Sequence, residues 1–124
     1  MLISESIIAD IKSIITQSKD NAIRAVDHQR TLMYWHIGKR IFEEEQEGKE
    51  RAGYGDFLIK SLSEYLQPQF GSGFSYRQLN WYRTFYRTFP IVSALRTQFN
   101  WTHYKTLLSI DNQDKREFIQ TFQN

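Results

Sequence analysis

An all-α fold is what this sequence predicts, and three features predict it. Apolar residues recur at three- and four-residue spacing over most of its 124 residues, the period of a helix with one buried side. No stretch shows the sustained alternation of a half-buried strand. Serine, asparagine and aspartate stand where helices would begin, and glycine or proline where they would end. The expected architecture is a compact helical domain of about six or seven helices with a helix-turn-helix-like segment.

The first predicted helix covers residues 3–18, where Ile3, Ile7, Ile8, Ile11, Ile14 and Ile15 form one stripe behind Ser4 as cap. That many isoleucines on one side need a partner. Ala22, Ala25, Val26, Leu32, Met33 and then Trp35 to Phe42 continue a helical pattern, so a second long helix is expected from Asp20 to Glu47. Nothing between the two breaks the pattern strongly, and whether they are continuous is left open. Gly38, inside this helix at a cost in propensity, implies that another backbone or a ring packs close against it. Gly48 suits a C-cap, and Gly53 and Gly55 mark the following turn. Leu58, Ile59, Leu62 and Leu66 predict a short helix from Asp56 to Leu66, stopped by Pro68. Beyond Pro90, Ile91 to Arg96 reads as a short helical piece. Asn100 or Thr102 then caps a helix through Leu108, and Asp111 caps a last one containing Phe118, Ile119 and Phe122.

The stretch from Gly71 to Arg87 is the candidate functional element. Ser75 is a good N-cap, so a helix starts at Tyr76, and Pro90 biases Phe89 out of helical geometry and closes it. At 100° per residue, Arg77, Asn80, Arg83, Thr84, Arg87 and Thr88 fall on one side, opposite Leu79, Trp81, Tyr82, Phe85, Tyr86 and Phe89. Guanidinium forks suit phosphate oxygens or the guanine edge, and carboxamides suit the adenine edge. Such a face also serves solubility alone.

A net charge of +2 hides a segregation. Residues 1–50 hold seven Lys/Arg against nine Asp/Glu, whereas Tyr65 to Ile110 holds five Lys/Arg and no acid. A one-signed region attracts polyanions even on a nearly neutral chain. Arg96 and Lys105 lie in this region and are candidates for phosphate contacts rather than base reading. Double-stranded DNA is the expected partner.

Other chemistries find little support. There is no cysteine, which excludes disulfides and thiolate metal sites. His28, His36 and His103 are scattered and lack a zinc spacing, and read as packing or capping residues. Glu47-Gly48-Lys49 matches half of a nuclease motif that belongs on strands, whereas here it ends a helix. The opening segment has no basic start and carries Glu5 and Asp10 among its apolar positions, unlike a signal peptide. No apolar run reaches membrane-spanning length, and a cytoplasmic protein is expected. No catalytic residue, cofactor, metal, membrane or small-molecule substrate is expected for this chain.

Five ordered blocks carry a family resemblance. They are Tyr34-Trp35-His36-Ile37-Gly38, Glu43-Glu44-Glu45-Gln46, Arg51-Ala52-Gly53-Tyr54-Gly55, then Gly71-Ser72-Gly73-Phe74-Ser75 with Arg77, Leu79 and Arg83, and lastly Trp101-Thr102-His103-Tyr104. Together they resemble the N-terminal domain of the YhcG-like family of bacterial proteins, over about Ile8 to Phe118. The resemblance implies a helix-turn-helix DNA-binding module ahead of a C-terminal PD-(D/E)xK nuclease domain. It therefore implies that residues 1–124 are a single non-catalytic targeting domain cut from a longer protein whose nuclease part is absent. Asn80 and Trp81 stand where that family often has further basic residues, and the connection from Gln67 to Phe74 is longer than a standard helix-turn-helix turn. The rival expectation is an assembly module, a homodimer through the N-terminal helices, because a domain this small has an apolar face it does not fully cover.

Overall fold

The computed structural model describes residues 3–48 and 53–110. Four α-helices appear among them: α1 (Glu5–Glu47), α2 (Tyr54–Phe70), α3 (Tyr76–Thr88) and α4 (Trp101–Leu108). Single 3-10 turns at Ser72–Phe74 and Val92–Ala94 complete the described elements. The described residues are all-helical as expected, and they hold fewer helices than the six or seven the sequence suggests. The helix expected after Asp111 lies outside the described residues.

The reduction has local causes. The two helices expected before Gly48 are one, 43 residues long and about 65 Å from end to end. Ser4 caps it, its hydroxyl accepting from the Ser6 N–H at 3.1 Å. Residues 16–22 hold no proline or glycine, so nothing forces the helix to stop. Pro68 does not end α2, which runs on to Phe70. Within the last turn a proline removes only one backbone bond, and termination falls to Gly71, whose φ of 94° few side chains tolerate. Ile91 to Arg96 contains only the 3-10 turn at Val92–Ala94.

α3 touches each of the other three helices. Its Leu79, Tyr82 and Phe85 are fully enclosed, which is the aromatic side predicted from its periodicity. One core cluster gathers Trp35, Phe85, Phe89, Leu95, Tyr104, Leu107 and Leu108; the other gathers Ile41, Ile59, Leu79 and Tyr82. Tyr34, Trp81 and Trp101 pack against both. Tyr34 stacks on Tyr82 with ring centroids 4.2 Å apart, and Trp101 meets both edge-on. Offset and edge contacts of this kind add to the burial of the rings themselves. The Trp35 indole N–H donates to the Phe89 carbonyl at 2.6 Å, so α1 satisfies the group left open where α3 ends.

Gly38 explains why α1 and α3 approach so closely. A Cβ there would overlap the Tyr82 carbonyl, so the backbones lie nearly in contact, as the mid-helix glycine implied. Only the second part of α1 takes part in this packing: its first buried residue is Thr31. Residues 3–26 are all exposed. They form an arm projecting from a body made of the rest of α1 with α2, α3 and α4. A cleft lined by Arg24, His28, Thr97 and Gln98 marks where arm meets body.

Candidate nucleic-acid interface

Ser75 begins α3 as expected, its side chain accepting from the Gln78 N–H at 3.2 Å. The Tyr82 hydroxyl donates to the Gly73 carbonyl at 2.7 Å and ties the preceding turn to the helix. Burial raises the Tyr82 phenol above its ordinary value, with the neighbouring Tyr34 adding to the shift. The phenol is thus a fixed neutral donor.

The polar side of α3 divides into two kinds of residue. Arg77 and Arg87 are exposed, as the periodicity predicts. Arg87 sits in the last turn, where a cation is favoured by the helix dipole. Arg83 does not project with them. Its guanidinium donates to the Glu45 carboxylate at 3.0 Å and to the Asn80 side-chain oxygen at 2.7 Å. The side chains of Arg83 and Glu45 are only 18% and 19% exposed. Asn80 is committed as well, since its amide also donates to the Tyr76 carbonyl at 3.3 Å. The Thr84 hydroxyl donates to the Asn80 backbone carbonyl at 3.0 Å. Arg83, Asn80 and Thr84, expected to face a duplex, thus also make contacts within the body.

Glu45 also resolves the unfavourable acidic run at the end of α1. Its carboxylate rests against Gly55 in the first turn of α2, where the N-terminal end of a helix favours a negative charge. Glu44 pairs with Arg40 at 3.1 Å.

Lys105, on α4, reaches back toward α3. Its ammonium lies 5.6 Å from the centroid of the Trp81 ring, within the range of a cation–π contact. Trp81, Tyr76, Arg77, Asn80 and Thr84 line a shallow depression of about 320 Å³ beside it. Across Tyr76 a second depression contains Asp56 and Lys60, and the Tyr76 hydroxyl donates to Asp56 at 3.4 Å. Sequence reading placed Trp81 with the core and missed its role as a wall, because only the fold brings α4 alongside.

Asn100, not Thr102, caps α4. Its side chain accepts from the His103 N–H at 2.9 Å, and its own N–H donates to His103 Nδ1 at 3.1 Å. His103 is thus a capping residue. The Tyr104 hydroxyl accepts from the Arg96 N–H at 2.8 Å, which fixes the loop carrying Arg96. Arg96 itself is half-buried. The structure thus sets Arg77 and Trp81 on one depression with Lys105 over the Trp81 ring, sets Arg87 at the far end of α3 and holds Arg83 between α1 and α3. No cluster of three His, Asp or Glu side chains able to hold a metal occurs among the described residues. None of the described helices is long and apolar enough to cross a membrane.

Comparison with known proteins agrees with the resemblance seen in the sequence. The chain is 38% identical over 84 residues to the Escherichia coli (strain K12) protein named "Putative nuclease YhcG". That alignment covers 68% of this chain and 22% of the relative, so the chain spans well under half of the protein it matches. No solved structure matches. The family model of the DUF1016 N-terminal domain matches residues 10–123, nearly the whole chain, and the chain therefore belongs to the DUF1016 N-terminal domain family.

Proposed function

We propose that this chain is a non-catalytic DNA-binding domain that delivers a nuclease to its substrate, using the face shared by α3 and α4. Arg77, Arg87 and Lys105 are the phosphate contacts, and Arg96 serves the flank. Arg83 and Asn80 stiffen that face from beneath. The observation that carries the reading is exposed Arg77 beside Trp81 on one depression, with the Lys105 ammonium over the Trp81 ring, in a stretch from Tyr65 to Ile110 without a single acid. Clustered cations attract the phosphate backbone regardless of sequence. The relative's name supplies the nuclease context, and the cutting chemistry is assigned to parts of the longer protein outside this chain.

Fluorescence-anisotropy titration with duplex DNA at several salt concentrations tests the reading. Each phosphate contact steepens the log–log salt slope by about 0.9. Arg77→Ala and Lys105→Ala should each remove about one such increment while the body melts normally. A flat slope for the native chain, or unchanged slopes for both variants, overturns the proposal.

A further inference from the structure

Ile3, Ile7, Ile8, Ile11, Ile14 and Ile15 form one stripe along the arm, each 42–72% exposed. At 100° per residue this stripe centres near Ile11. Thr31, Trp35, Gly38 and Ile41, by which the same helix enters the core, lie roughly half a turn away. The stripe is therefore not an extension of the core-facing side, and α2, α3 and α4 sit on the wrong side of an unbroken helix to cover it.

An uncovered stripe is costly twice. Isoleucine is stiff at χ1 and a weaker helix former than leucine or alanine, and a solvated helix of this length is marginal in water. A contiguous apolar strip also exceeds what single scattered surface side chains explain. We infer that residues 3–26 pair, stripe against stripe, with the same residues of a second copy of this chain. The inference does not rest on the nucleic-acid reading.

The stripe itself argues for a copy of the chain as its occupant. It is a convex helix surface rather than a groove, and Ser18, Ala22 and Ala25 near its midline allow close approach of another helix. Asp10 stands on one shoulder, and Glu5, Lys12 and Lys19, seven residues apart, stand on the other. In a parallel two-fold pair each shoulder meets the opposite one, which sets Asp10 beside Lys12 of the second copy, twice over. An antiparallel pair sets the other shoulder against itself, with Glu5 beside Lys19 of the second copy, so opposite charges meet in either arrangement.

Sedimentation equilibrium of the whole chain reads the result. The native chain should have twice the monomer mass and dissociate on dilution. Ile11→Lys with Ile15→Lys should be monomeric, while Ser13→Lys, on the opposite side of the arm, remains dimeric; tryptophan fluorescence confirms that the body of each variant is folded. A native chain that stays monomeric at every concentration, or a double lysine variant that still dimerises, overturns the inference.

Discussion

The guanidinium of Arg83 and the carboxylate of Glu45 lie 3.0 Å apart, joining the end of α1 to the middle of α3. Both side chains are mostly out of water, so each depends on the other more than a surface pair would. Arg83→Ala and Glu45→Ala should each lower stability by about 1–2 kcal/mol, read as a shift of the urea midpoint. The double variant should lose less than the sum, with a coupling of about 1 kcal/mol. Glu45→Gln separates the two roles of this region. It should weaken the fold while modestly strengthening DNA binding, because it removes a negative charge near the proposed face. A Glu45→Gln variant that binds DNA less well than the native chain counts against that face.

Gly38 and Tyr82 make the second prediction. Alanine at Gly38 would gain about 1 kcal/mol in helix propensity, yet its Cβ would overlap a backbone carbonyl that cannot rotate away. Overpacking of this kind typically costs about 1–3 kcal/mol or more. The overlap should win: Gly38→Ala is expected to destabilise by about 2 kcal/mol and lower the melting temperature. A variant as stable as the native chain would mean that α1 and α3 are not in backbone contact.

Alkaline pH supplies the third. Tyr82 and Tyr104 are both shifted upward, chiefly by burial; at Tyr104 the Arg96 N–H and the Arg96 charge pull partly back. An unfolded tyrosine titrates near about pH 10. Above that pH the folded chain holds more protons than the unfolded one, so stability falls as pH rises. Their contribution is complete below about pH 10 and is lost as pH climbs through the folded-state values. Urea midpoints taken across this range should show the decline, and Tyr82→Phe should flatten part of it.

Lys105→Met offers a milder probe than alanine of the lysine over Trp81. It keeps an apolar stem against the indole and removes only the charge. Its melting temperature should match that of the native chain while its salt slope falls by about 0.9. If both stay unchanged, Lys105 is a packing residue and not a phosphate contact.

Periodicity and capping made most of α3 legible in advance: Ser75 as cap, Tyr76 as first residue, and Leu79, Tyr82 and Phe85 inward. They also revealed the close approach at Gly38. What periodicity cannot report is whether a polar residue on the outer side faces water or another helix. Arg83 and Arg77 share a face, yet Glu45, 38 positions earlier, claims one and not the other. Trp81 falls on the aromatic side by helical angle and does pack against both core clusters; its contact with Lys105 was not legible, since the position of α4 follows from tertiary packing. Pro68 misled because a proline in a final turn removes too little hydrogen bonding to stop a helix. The isoleucine stripe was seen, but the face it occupies relative to the body became clear only when the two predicted helices proved to be one.

All three tryptophans, Trp35, Trp81 and Trp101, belong to the body, and the arm has none. Indole emission is consequently blind to the arm and reports on the body alone, with Trp81 placed on the wall of the depression where a nucleic acid would quench it. Far-ultraviolet circular dichroism weights the other end, because the 43 residues of α1 supply the largest share of the helical signal. The two spectroscopies therefore weight different parts of the molecule. Their melting curves should separate as the protein is diluted, and rejoin when the arm is truncated.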